Sequence, residues 1–115
     1  MFARKVSMQL KPDSAGELKR RFDKDIIPLL RKQKGFQDEI TFITTGGREA
    51  FGISLWDRTE DAEAYSRGAY PEVAGLLAAI VEGTPRVETF EVANSTFHRI
   101  PDVIHSAKPL GGAVI

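Results

Sequence analysis

The chain has 115 residues, 16 lysines and arginines against 16 aspartates and glutamates, 42% hydrophobic residues and no cysteine. A single domain of that length can bury a core without covalent staples. The balanced charge argues against nucleic acid or an anionic membrane surface as a partner, and the missing thiols exclude disulfides, thiolate metal sites and a cysteine nucleophile. The charged, alternating start MFARKVSMQL does not have the form of a secretory signal, and no apolar run is long enough to span a bilayer, so a soluble, cytoplasmic protein is expected.

Residues 2–10 alternate, with Val6, Met8 and Leu10 on one side and Lys5, Ser7 and Gln9 on the other, which predicts a half-buried strand ended by Pro12, Asp13 and Ser14. The period then changes. Leu18, Phe22, Ile26, Leu29 and Leu30 recur at helical spacing against a charged face, with a bend expected near residues 24–28 from Pro28 and a left-handed cap at Gly35. Residues 36–45 and 49–57 are β-branched and aromatic runs joined by Gly46 and Gly47, the composition of an antiparallel hairpin. A second helix should start at Asp57 or Thr59, with Glu60 completing a capping box with Asp57. Gly68 and Pro71 interrupt it, and Val73, Leu76, Leu77 and Ile80 carry its second apolar stripe up to Gly83 and Pro85. Residues 86–97 alternate as a fourth strand. Residues 98–115, with two prolines and a Gly-Gly pair, read as a tail lying on the surface or on a partner subunit rather than as another regular element.

The order strand, helix, strand, strand, helix, strand packs economically as an α+β, ferredoxin-like βαββαβ sandwich over residues 1–97: a four-stranded antiparallel sheet with helices on one face. In the third strand, Phe51, Ile53 and Leu55 share one side and Ala50, Gly52, Ser54 and Trp56 the other. The all-apolar sets Val6/Met8/Leu10 and Phe51/Ile53/Leu55 are the natural choice for the helix-covered face. The small residues, with Ser7, Gln9, Thr41, Ile43, Thr45, Thr89, Glu91 and Ala93, then fall on a second face too apolar for water and too polar for a dry core. That is the profile of a face covered by another subunit, and a homodimer is expected, burying on the order of 800 Å² per protomer or more.

With KPDSAGELKRRFDKDIIPLLRKQKGF and its interior proline and closing glycine-aromatic pair, and with SLWDRTEDAEAY leading a tryptophan into an acidic helix start, the βαββαβ pattern over residues 2–97 resembles the antibiotic biosynthesis monooxygenase (ABM) family of the dimeric α/β-barrel superfamily. The resemblance implies a homodimer whose two sheets meet as a barrel and, in some members, cofactor-free oxygenation of aromatic polyketide or quinol substrates. A small hydrophobic or aromatic ligand is therefore expected, with no cofactor. Members that oxidise aromatic substrates tend to surround the equivalent tryptophan with amide and phenol side chains, where this strand offers Gly52 and Ser54. A second branch of the superfamily binds haem through a histidine on the second helix; this chain has none there, and haem is not expected.

Trp56 either plugs the barrel end or subunit interface, or walls a pocket beside Tyr65 or Tyr70. In the pocket reading, Trp56, Tyr65 and Phe22 are the substrate-binding residues and His98 is the candidate proton acceptor, against the plainer reading of a polar residue at a strand end. His98 and His105, seven residues apart in a proline-broken segment, do not form a metal-ligand pair, and no metal is expected. The acidic pairs Asp38/Glu39 and Glu60/Asp61 read as solvated, with nothing nearby to raise a pKa. Gly46-Gly47 is a turn and lacks the context of a phosphate loop, and Asn94 and Ser95 could line a pocket mouth or simply give polarity to an edge. The rival to an enzyme is a non-catalytic dimeric ligand-binding or accessory domain, which the neutral charge and sparse acid/base inventory also fit.

Overall fold

The computed structural model describes residues 1–101; of the tail expected over 98–115, residues 102–115, His105 among them, lie outside the described residues. Four strands, β1 (Phe2–Leu10), β2 (Phe36–Ile43), β3 (Glu49–Trp56) and β4 (Val81–Glu91), form one sheet in the order β2-β3-β1-β4, with every neighbouring pair antiparallel. Helices α1 (Ala15–Arg21) and α2 (Ile27–Arg31) follow β1, and α3 (Thr59–Arg67) and α4 (Tyr70–Leu77) follow β3. This is the ferredoxin-like arrangement that the alternating periods imply. No helix among the described residues is long and apolar enough to cross a membrane.

Between α1 and α2 the chain makes one π-helical stretch, Phe22–Ile26, in which the Ile27 N–H donates to the Phe22 carbonyl five residues back. Pro28, in the first turn of α2, has no N–H to continue the four-residue ladder, and the wider turn absorbs the mismatch. The wider turn also suits the sequence. Leu18, Phe22, Ile26 and Leu30 are spaced by four, a series that drifts around an α-helix and stays better aligned when one turn takes an extra residue; all four are buried. The helix ends sooner than the expected cap at Gly35: α2 stops at Arg31 with Lys32 as its C-cap, and Gly35, with φ of 78°, sits in the turn that leads into β2. A Cβ there would overlap the Asp61 carboxylate, so glycine answers both the left-handed backbone and the close approach of α3.

Register fixes the two faces of the sheet. Phe2, Arg4, Val6 and Met8 stand opposite Trp56, Ser54, Gly52 and Ala50, and Met8, Leu10, Ala50 and Trp56 join the helix side chains in one core. The row of small residues on β3 therefore lies under the helices. Phe51, Ile53 and Leu55 point the other way, which corrects the expectation that these three face the helices. On that outer face Ile40, Phe42 and Phe90 are 44–47% exposed, with Phe42 stacked on Phe51 at 4.8 Å.

Two further expectations change. The fourth strand begins at Val81 rather than Arg86 and ends at Glu91 rather than Phe97. Gly83 and Pro85 sit inside it, where the register with β1 jumps from Ser7/Arg86 to Gln9/Glu82; a bulge accommodates Pro85 because no ladder hydrogen bond is asked of it. At the start of α3 the capping box does not form: Arg58 is the N-cap and gives no side-chain cap, while the Asp57 carboxylate accepts a hydrogen bond from Gln37 Nε2 at 2.7 Å and Glu60 pairs with Arg58 at 3.2 Å.

Candidate functional site

Between the sheet and the helices lies a narrow chamber lined by Arg4, Glu39, Gly52 and Ser54 from the strands and by Phe22, Tyr65 and Tyr70, among others, from the helical side. Its floor is set by the small residues of β3. Glu39, Ser54 and Arg4 form one cross-strand row over β2, β3 and β1, and Thr41, Gly52 and Val6 form the next. The Glu39 carboxylate reaches over Gly52: a Cβ on Gly52 would lie 2.8 Å from Glu39 Oε2. A glycine there is what lets an acid lie flat on the sheet beneath a hydrophobic roof.

The chamber is open to the centre of a water-sized sphere over about 40 Å³, enough for water or dioxygen. A second groove of about 410 Å³ on the same measure runs outside it, between the π-helical stretch and β2, lined by Lys19, Phe22, Asp23, Ile27, Glu39, Thr41 and Ile43. Phe22 and Glu39 line both spaces. They stand at the boundary between a large outer groove and a small inner chamber.

Electrostatics inside differ from those of an exposed surface. Burial pushes the Glu39 carboxyl up to about 7, partly offset by the Thr41 hydroxyl, which donates to its two oxygens at 3.0 and 2.9 Å. Burial likewise pushes the Tyr65 phenol up to about 12; Arg4 pulls against this, while Tyr70 and Glu39 add to it. At neutral pH Tyr65 is a proton donor and Glu39 divides between acid and base. Arg4 is buried, 4% exposed, with its guanidinium 4.1 Å from the centre of the Tyr70 ring and 5.3 Å from that of Tyr65.

Of the residues singled out in the sequence, Phe22 and Tyr65 line the chamber. Trp56 lies one layer behind: it is fully buried, its indole N–H donates to Ser54 Oγ at 2.9 Å, its ring stacks on Tyr65 at 5.0 Å, and Phe36 meets it edge-on at 5.6 Å. It holds the Tyr65 ring against the chamber and fixes the Ser54 hydroxyl. His98 is elsewhere. Its N–H donates to Ser95 Oγ at 3.1 Å and its Nε2 pairs with Asp38, on the edge strand opposite β4, so the chain after β4 crosses the sheet and ends its described course away from the chamber.

Sequence reasoning missed Glu39 and Arg4, and placed Gly52 only in the small-residue row of β3. Asp38/Glu39 read as one solvated pair, yet alternation sends the two to opposite faces, Asp38 beside Leu55 and Glu39 beside Ser54. The signal was present, since Glu39 is two residues before Thr41 and so shares a face with the small-residue row. Among the described residues, no three His, Asp or Glu side chains gather where a metal could be held.

No protein-family model and no curated protein matches the chain. Solved structures do. A protein of unknown function from Nitrosomonas europaea aligns with a TM-score of 0.68 at 18% identity, over 87% of this chain and 93% of its own. SnoaB, a cofactor-independent oxygenase from Streptomyces nogalater, aligns with a TM-score of 0.66 at 13% identity, over 83% and 95%. A monooxygenase from the gene ActVA-Orf6 of Streptomyces coelicolor, in complex with nanaomycin D, aligns with a TM-score of 0.65 at 18% identity, over 87% and 91%. Others are named antibiotic biosynthesis monooxygenases. The chain therefore has the ferredoxin-like fold found in the structures of that family.

Proposed function

We propose that this protein is a member of the ABM family and a cofactor-independent monooxygenase of a small aromatic or quinol-type substrate. The observation that carries the reading is Glu39: a carboxyl pushed up to about 7, at the mouth of a chamber with aromatic walls, on the fold of SnoaB. A general base works best when its pKa lies near the working pH, and Glu39 replaces His98 in that role because His98 does not line the chamber.

The chemistry needs little more. The ring system rests in the outer groove against Phe22 with its reactive edge in the chamber, and ionised Glu39 takes a proton from it. The resulting anion is electron-rich enough to reduce dioxygen, first by one electron and then by forming a C–O bond. For an anthrone-type CH2, one oxygen atom ends as the new ring carbonyl and the other leaves as water, so that two substrate hydrogens and one O2 give C=O and H2O. The protein supplies orientation, a proton acceptor and exclusion of bulk water, while Tyr65, still protonated, can donate to the developing oxyanion.

The outer face supports a homodimer. Ile40, Phe42 and Phe90 are exposed beside Phe51, Ile53 and Leu55, a contiguous apolar surface of the kind soluble monomers rarely leave in water, and a second copy laid sheet to sheet would cover it. Oxygen-electrode assays over a panel of simple anthrones and quinols test the enzymatic reading, with uptake expected above buffer and above Glu39→Gln. Saturable quenching of Trp56 by the same compounds with no uptake and no product by mass spectrometry would instead identify a ligand-binding domain.

A further inference from the structure

Arg4 is a charged group in the chamber lining that the proposed proton transfer does not use. Its side chain is 4% exposed, yet among the described residues it takes part in no ion pair and no side-chain hydrogen bond, although every buried side-chain nitrogen and oxygen has a partner. Its polar atoms therefore face the open space of the chamber that Arg4 lines. Taking a cation out of water without an anion beside it is costly. The Tyr70 and Tyr65 rings recover part of that cost through their π faces and hold the guanidinium still. Glu39 does not neutralise it, being two strands away in the same row with Ser54 between, about 10 Å from backbone to backbone at ordinary strand spacing.

We propose that Arg4 is an anion-binding residue whose guanidinium receives the oxyanion of an aromatic ligand bound in its phenolate or enolate form. This rests on the reading of the chamber as a substrate site and names the substrate class: compounds whose ring hydroxyl or enol ionises on binding. A neutral ring hydroxyl that enters the chamber from the outer groove, past Glu39, gives its proton to the Glu39 carboxylate and leaves its oxygen facing Arg4. The summed charge is then unchanged, since Glu39 becomes neutral as the ligand becomes an anion. Low dielectric inside the chamber strengthens that attraction relative to water.

Anaerobic spectral titration of bound 4-nitrophenol, whose phenolate absorbs in the visible, tests this without turnover. In the wild-type protein the bound phenol should ionise at a pH about one unit below the free compound, a tenfold gain in ionisation constant. Arg4→Met, similar in length and uncharged, should bring the value to or above that of the free phenol, and Arg4→Lys should keep it lowered. An unshifted or raised value in the wild type, no complex at all, or the same lowering in Arg4→Met overturns the proposal. The oxygenase reading fails separately: a lowered phenol pKa with no oxygen uptake across the panel leaves the anion site standing, and uptake without the lowered pKa leaves the enzyme without it.

Discussion

The two faces of this sheet invert the usual distribution of polarity. Under the helices, where a dry core is expected, one cross-strand row places an acid, a hydroxyl and a guanidinium side by side, Glu39, Ser54 and Arg4. On the reverse, where water is expected, Ile40, Phe42 and Phe90 lie open beside Phe51. Buried charge and exposed hydrocarbon both cost stability, so each marks something the isolated fold does not need. In the proposed function the inner face serves a ligand and the outer face a second subunit. The rest of the inner face is ordinary packing: Trp56, Leu10, Leu18 and Ile26 are the largest fully buried side chains, and they supply the stability that the polar row gives up.

Substitutions on the two faces should therefore separate cleanly. The largest effect is expected at Trp56. Truncation to alanine removes a fully buried indole and should cost about 3–5 kcal/mol of unfolding free energy, read from urea denaturation; a loss below about 1 kcal/mol would mean that the ring is not part of the core. Next comes Glu39→Gln, which should lower oxygen uptake by about 10²–10⁴-fold, the usual contribution of a general base, while quenching of Trp56 by substrate persists. On the outer face, Phe42→Asp should move the mass measured by light scattering from dimer to monomer without altering ligand quenching; an unchanged mass would show that this face is not the interface.

The smallest predicted effect is a pH dependence of stability. The Glu39 carboxyl titrates higher in the folded chain than in the unfolded one, at about 7 against 4.5. The folded state therefore holds its proton more tightly, and the resulting stabilisation is fully present below about pH 4.5 and is lost as the pH rises through about 7. Urea midpoints of the wild type should fall over that window relative to those of Glu39→Gln, whose amide does not titrate. Parallel curves for the two proteins would place Glu39 in water.

The element order was legible because each change of period coincides with a change of element, from the alternation of Val6, Met8 and Leu10 to the four-residue spacing of Leu18 to Leu30. Gly35, Gly47 and Pro71 marked their turns and helix start correctly. The beginning of β4 was not legible, since Gly83 and Pro85 end a strand as readily as they bulge one. Nor was the choice of face. Phe51, Ile53 and Leu55 are greasier than Ala50, Gly52 and Ser54, and periodicity reports that two faces differ without saying which one the helices cover. The site suffered from the same ambiguity. Phe22 and Tyr65 followed from aromatic placement, and Trp56 was recognised without its position behind the wall. Glu39 and Arg4 each adjoin another charge, Asp38 and Lys5, so only the alternation of faces separates the inward charge from its outward neighbour, and that in turn depends on knowing which face the helices cover.

The pH profile of oxygen uptake reaches the centre of the account most directly. With an anthrone or quinol that the protein oxidises, kcat/KM should rise along a limb centred near pH 7 in the wild type and lose that limb in Glu39→Gln. Equal rates and an identical profile in the two proteins would show that the carboxyl beside Gly52 takes no proton from the substrate.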